Sequence, residues 1–284
     1  MKLSKIFALL LALCLISSAA CAATFTDAHG NVIELDDSLE AYAAVTLVGA
    51  DNAARQGETN LGDLWADALR WFAVSGEINA AFDEDDVKAG NDRIAVDADH
   101  VVALWNGGNL RADIAEGTFG AEALAEVLPF PNKVAVVYMT GAQLLETLEA
   151  ASQGLPYTAE TADACASLMQ VSGLTYTVDT TKAYDALEAY GDHWFTAGSV
   201  SRVRIDDVNG QPFDAEATYA VVTSNANFNG MDSSYVLKAA AEANEQSAVT
   251  TAVVRDVVFR FIASELNHQV GEAYAAPQGR LTVL

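Results

Sequence analysis

Positive charge is scarce in this sequence. Its 284 residues hold 15 Lys and Arg against 39 Asp and Glu, a formal net charge of −24. Nucleic-acid binding and attachment to anionic lipid both need clustered basic side chains, so both are excluded as functions. Cysteine is rarer still, at positions 14, 21 and 165 only. Histidine occurs four times, at 29, 100, 193 and 268, with no Gly-Asn-His-Glu or Gly-His-x-His segment to build a two-metal centre. A P-loop, paired Cys/His zinc spacing and Gly-x-Ser-x-Gly are all missing. Beyond Ile16 no stretch approaches 18 uninterrupted apolar residues, so no transmembrane helix is expected.

Apolar material is plentiful. Hydrophobic residues make up 51% of the chain, which excludes wholesale disorder and provides for a sizeable core. The first residues read as an export signal: Lys2 and Lys5, an apolar stretch from Ile6 to Ile16, then Ala20-Cys21-Ala22 as a small-x-small cleavage site. Residues 1–22 are assigned to this signal, which makes the rest periplasmic, extracellular or cell-surface. A rival reading lipidates Cys21, but Ser18 stands where lipoprotein signals prefer Leu. Cleavage after Ala22 leaves Cys165 alone, without an internal disulfide. No His or Lys lies near it in sequence, so it reads as an inert thiol.

Residues 23–44 form a lead segment, with a hairpin expected over residues 24–35 around His29-Gly30-Asn31. One domain is expected over 45–284. A β-like stretch runs from Ala43 to Val48. Leu61, Leu64, Trp65, Ala68, Leu69 and Phe72 follow helical spacing, with Asn60 as the expected N-cap. Asp63 and Asp67, one turn apart on that helix, read as a solvated face, and Asp83–Asp86 as an acidic loop. Strands are expected at Val101–Trp105, Val134–Met139, Leu174–Val178, Val200–Ile205, Thr218–Thr223 and Arg280–Val283. Helices are expected at Ala121–Val127, after Thr140, and over Val253–Leu266, and Asn209-Gly210 is a hairpin-turn signal.

Four segments carry functional meaning: Arg55-Gln56-Gly57-Glu58-Thr59-Asn60-Leu61-Gly62-Asp63-Leu64; Trp105-Asn106-Gly107-Gly108-Asn109-Leu110-Arg111; Val127-Leu128-Pro129-Phe130; and Asn225 through Gly230-Met231-Asp232-Ser233-Ser234-Tyr235. Arg is a rigid fork suited to phosphate or carboxylate. Asn106-Gly107-Gly108 lets backbone approach a ligand closely. Phe130 behind a Leu-Pro corner is placed to present a ring face. In bland readings Gly107-Gly108 is only a turn, Phe130 is core, and both Arg residues merely pair with carboxylates.

The order and spacing of these segments resemble the C-terminal domain of the secreted 5′-nucleotidase and UDP-sugar hydrolase family. Leu168–Gly173, Asn209–Pro212, Thr218-Tyr219 and Gly279-Arg280-Leu281 agree with it. The resemblance implies an α/β fold of α+β type, a single domain arranged as a four-layer α/β/β/α sandwich. It carries over Arg55, Asn106 and Arg111 as polar contacts to substrate, with Gly107 and Gly108 between them. Phe130 becomes one of two aromatic rings enclosing a nucleoside base, and Asp232 the acid touching the nucleoside. The second ring is expected six residues before that acid, where Ala226 stands. Either Phe228 or Tyr235 supplies it, or half of the sandwich is lost.

In the family, catalysis belongs to a separate metallophosphoesterase domain with two divalent metal ions. No cofactor is therefore expected in this chain. Asp27 and His29 are weak metal candidates, since Asp27-Ala28-His29 looks like a first metallophosphoesterase motif. It also resembles the opening hairpin of exported solute-binding proteins. The expected ligand is a nucleotide or nucleoside, with a separate metallophosphoesterase domain as partner for phosphomonoester hydrolysis. The alternatives are a non-enzymatic nucleoside-binding module for scavenging or sensing, and a truncated remnant.

Overall fold

The computed structural model describes residues 40–191 and 194–284, together with the backbone of strands β1 (Ala23–Thr26) and β2 (Val32–Leu35). These two pair antiparallel, Thr24 opposite Glu34, as the expected hairpin. The residues expected to form an export signal, with Cys21, and the weak metal candidates Asp27 and His29 lie outside the described residues.

Next come β3 (Ala41–Ala43), the short helix α1 (Ala53–Gln56) and α2 (Asn60–Val74). Helix α2 buries all six of its predicted apolar positions. Its N-cap is Thr59, whose hydroxyl accepts from Gly62 N at 3.0 Å, and not Asn60. The Asn60 amide is committed elsewhere: it accepts from Val48 N and donates to the carbonyls of Thr46 and Tyr274. The acidic run at 83–86 is not a loop but the start of α3 (Glu84–Ala89). Asp83 caps it by accepting from the amides of Asp85 and Asp86, and acids in a first turn suit the helix dipole. There follow β4 (Val101–Asn106), β5 (Gly117–Phe119), α4 (Ala121–Val127), β6 (Lys133–Thr140) and α5 (Gly141–Ala151). A reciprocal capping box between Thr140 and Gln143 starts α5.

The second half contains β7 (Met169–Ser172), β8 (Leu174–Val178), β9 (Ala186–Tyr190), β10 (Trp194–Ala197), β11 (Val203–Val208) and β12 (Thr218–Ser224). Helices α6 (Asn225–Phe228) and α7 (Tyr235–Ala243), strand β13 (Ala248–Val253), helix α8 (Val254–Ser264), and strands β14 (Gln269–Val270) and β15 (Leu281–Val283) complete it. Asn209-Gly210 does form a tight turn, with both residues at positive φ and Val208 bridged to Gln211. It joins no long hairpin, because β11 pairs with β8 whereas β12 pairs with β4 and β6.

Five strands make the central sheet, in the order β13-β6-β12-β4-β7. Its inner strands read as continuous apolar runs because both faces are covered. Val101, Ala103 and Trp105 of β4, with Val134, Val136 and Tyr138 of β6, enter a first core closed by α2 and α8. Val102, Leu104, Val137 and Met139 enter a second core. That core is shared with the three-stranded sheet β11-β8-β15 and with α5 and α7. The result is the expected mixed α/β single domain, with helices, the large sheet, the small sheet and further helices.

Asp63 and Asp67 are not solvated. Asp63 is 0% exposed, and both acids clasp the C-terminal segment. Asp67 accepts from Ser172 Oγ, Tyr274 Oη and Arg280 Nη2. Asp63 accepts from Gln278 N, and Glu58 accepts from the amides of Arg280 and Leu281. Arg280, more than 200 residues away in sequence, turns this face inward. Helical periodicity alone cannot show that.

Candidate functional site

Strands β4 and β12 are parallel neighbours, Val222 opposite Ala103, so their C-terminal ends reach the same edge of the sheet. Such an edge is where open α/β sheets bind ligands. Strand β6 runs antiparallel to β12, with Ser224 opposite Val134, so the segment carrying Phe130 enters there. Strand β7 runs antiparallel to β4, with Asn106 opposite Met169, and brings in the segment 162–168. Topology alone therefore gathers four distant loops at one place.

Asn106, the last residue of β4, is fully buried. Its Nδ2 donates to Asp232 Oδ2 at 2.7 Å, and its Oδ1 accepts from Asn109 Nδ2 at 2.9 Å. Gly107 and Gly108 follow, both buried. A Cβ on Gly107 would run into the Ala54 carbonyl, and one on Gly108 would lie 2.6 Å from the Ala166 Cβ. The pair is glycine because α1 and the segment 164–167 close on it. Arg55, on α1, is 9% exposed, donates to the Ala162 carbonyl at 2.9 Å and approaches Asp163 at 4.0 Å. Arg111 is exposed. Its backbone is pinned to the Val127 carbonyl and its guanidinium lies over the Phe130 ring, 5.7 Å from the centroid.

Arg55 and Arg111 both act electrostatically on Asp232. Burial raises the Asp232 carboxyl above its ordinary value, and the two guanidinium groups oppose that rise. Burial and the charge of Arg55 lower Arg111, while Asp232 opposes this. Two guanidinium groups around one carboxylate favour an incoming anion. Asp232 and Ser233 both occupy left-handed backbone, at φ 50° and 59°, a conformation that non-glycine residues rarely adopt. Ser233 Oγ is buried with no protein partner.

Arg55, Asn106, Gly107, Gly108, Arg111, Phe130 and Asp232 thus come together at this edge. Phe228 and Tyr235 point elsewhere. Phe228 packs on the second core, across the sheet from Phe130, which packs on the first. The Tyr235 hydroxyl donates to Glu146 Oε1 at 2.8 Å and accepts from Ala197 N at 2.9 Å. Its ring lies 5.4 Å from that of Tyr190. The individual roles of Asn109, Ser233 and Gln170 were not singled out by sequence reasoning. Gln170 ties α1 to α2 through Thr59 N and the carbonyls of Ala54 and Gly57. Only its place in the Leu168–Gly173 segment could have drawn notice to it.

Two guanidinium groups, an amide and one carboxylate form a donor set for an anion, not for a metal ion. Among the described residues no group of three or more His, Cys, Asp or Glu side chains could hold a metal. Among the same residues no helix is long and apolar enough to cross a membrane.

Comparison with known proteins bears on the family and the fold. The sequence is 28% identical over 188 residues to the trifunctional nucleotide phosphoesterase protein YfkN of Bacillus subtilis (strain 168), covering 65% of this chain and 10% of that protein. The fold matches the 5′-nucleotidase precursor of Thermus thermophilus with a TM-score of 0.61 and 30% identity, covering 86% of this chain and 39% of that one. It matches the NAD nucleotidase of Haemophilus influenzae with a TM-score of 0.56 and 16% identity, covering 86% and 38%, a likeness of fold alone. The chain spans about two fifths of these nucleotidases and a tenth of the Bacillus protein, so their activities are those of longer proteins. The profile of the family described as 5′-nucleotidase, C-terminal domain, matches residues 40–239, well over half of the sequence. The chain therefore belongs to the 5′-nucleotidase C-terminal domain family.

Proposed function

We propose that this domain recognises a nucleotide or nucleoside after export and contributes to nucleotide breakdown together with a metallophosphoesterase domain. The observation that carries this reading is the convergence of Arg55, Arg111 and Asn106 on Asp232, with Phe130 beneath Arg111. Arg55 and Arg111 meet phosphate, Phe130 lies under the base, and Asp232 with Asn106 takes polar groups of the nucleoside. Stacking on an aromatic face contributes about 1–3 kcal/mol per base in nucleic-acid systems. The site positions a phosphomonoester, and hydrolysis belongs to metal ions held by the partner domain.

Calorimetric titration with AMP and adenosine tests the assignment. Arg111→Ala should weaken AMP more than adenosine, by about 1.5–3 kcal/mol for a charge-assisted contact. Phe130→Ala should weaken both alike, because both carry the base. Equal effects of Arg111→Ala on the two ligands would place that guanidinium away from phosphate.

A further inference from the structure

Helix α1 has two sides, and the anion site uses one of them. On that side lie Arg55 and the Ala54 carbonyl, which bars a Cβ on Gly107. The other side, with Ala53 and Gln56, closes a cavity of about 560 Å³. Its remaining walls come from Thr46 and Val48, from residues 57–60, and from residues 275–277 of the C-terminal segment. A cavity of this size suits a small organic molecule.

The walls decide what kind. Val48, Ala53, Ala276 and Pro277 offer hydrocarbon. Two of the polar side chains are spent on the protein itself. Thr59 Oγ1 accepts from Gly62 N, and the Asn60 amide is satisfied by Val48, Thr46 and Tyr274. Glu58 is the one charged residue among those lining the cavity. Each of its carboxylate oxygens accepts a single backbone amide, from Arg280 and Leu281, which leaves lone pairs for a further donor. Arg280 turns its guanidinium to Asp67 instead. A carboxylate between apolar walls, with no Lys or Arg among the lining residues, favours a cation that carries an apolar body.

Helix α1 gets little support from its own sequence. It has four residues and no side-chain cap. Asp51 and Asn52 lead into it in left-handed backbone, at φ 54° and 60°, a strained approach for residues other than glycine. Its place is set by tertiary contacts. The Gln170 side chain accepts from Thr59 N on the cavity wall and donates to the carbonyls of Ala54 and Gly57. A ligand against Ala53 and Gln56 therefore acts on the same element that carries Arg55.

We propose that this cavity is an effector site for a small organic cation with an apolar body, a primary amine or amidine, and that α1 transmits its occupancy to Arg55. Binding in the cavity stands apart from the nucleotide-recognition reading above, and the transmission rests on it.

The experiment titrates the full chain with benzylamine as probe and with benzyl alcohol as its uncharged counterpart. Benzylamine should bind more tightly than benzyl alcohol by about 2- to 5-fold, as a partly exposed ion pair allows. Glu58→Gln should remove that difference. Gly57 lines the cavity and a Cβ there meets nothing within 4 Å, so Gly57→Leu should keep the parent melting temperature and abolish binding of both probes. Saturating benzylamine should shift the affinity of the parent for AMP by about 5-fold or more, and leave that of Gly57→Leu unchanged. Failure of benzylamine to bind, or equal binding to Gly57→Leu and the parent, would overturn the site. Equal affinity of the parent for the two probes would overturn the cationic class, and an AMP affinity that ignores benzylamine would overturn the effector role. If the parent does not bind AMP at all, nucleotide recognition fails and the effector role with it, whereas benzylamine binding still decides the cavity.

Discussion

Among the carboxylates of this domain, Asp63 combines complete burial with an oxygen, Oδ1, that no hydrogen-bond donor reaches. Burial, followed by the neighbouring charge of Glu58, raises it from 3.8 to about 8 against the opposing pull of Arg280. The folded chain therefore holds a proton there that the unfolded chain has released. Stability should fall as pH rises from about 4 to about 8 and level off above, the reverse of the usual behaviour of a carboxylate. Asp63→Asn keeps a neutral group in place and should remove this slope. Urea unfolding near pH 5 and pH 8 measures it, and an unchanged slope in the variant would mean that Asp63 is ionised throughout. Nothing local in the sequence announces this behaviour. Asp63 sits on a helix among other acids, and only the return of Arg280 and Gln278 makes it interior.

At the scale of elements, the glycines after β4 give a sharp contrast. Gly107→Ala forces a methyl group into the Ala54 carbonyl and should cost about 1–3 kcal/mol, as overpacking does. Gly57→Ala meets nothing within 4 Å and its φ of 177° is open to any residue, so its melting temperature should match the parent. Equal losses in thermal melts of the two variants would contradict this account of Gly107. Periodicity and capping signals read the elements well where they are local, as at α2, α4, the Thr140 cap of α5 and β8. They misread Asn60 and residues 83–86, because Asn60 is drawn away by Thr46, Val48 and Tyr274 and because Asp83 caps its own helix. The strand expected at Val200–Ile205 is shifted to Val203–Val208 by its pairing with β8, a tertiary choice.

For the whole molecule, the site was legible as a set of residues but not as a place. Motif order named seven of the side chains and glycines that meet at the sheet edge. It could not show that Phe228 and Tyr235 are used elsewhere, since the face of the sheet they occupy depends on α5, β10 and the second core. The anion-type donor set leads to an expectation for activity. Residues 23–284 should show no release of phosphate from AMP or hydrolysis of UDP-sugars with Mn²⁺, Co²⁺ or Zn²⁺, and turnover should appear on adding a metallophosphoesterase domain. Metal-dependent turnover abolished by His29→Ala would overturn that. The clasp formed by Glu58, Asp63 and Asp67 also bears on biosynthesis. Its partners Gln278, Arg280 and Leu281 leave the ribosome more than 200 residues after the acids do. Until they emerge, Asp67 has no Arg280 to pair with and Asp63 no Gln278 amide to accept from, so α2 cannot bury this face as it does in the finished domain.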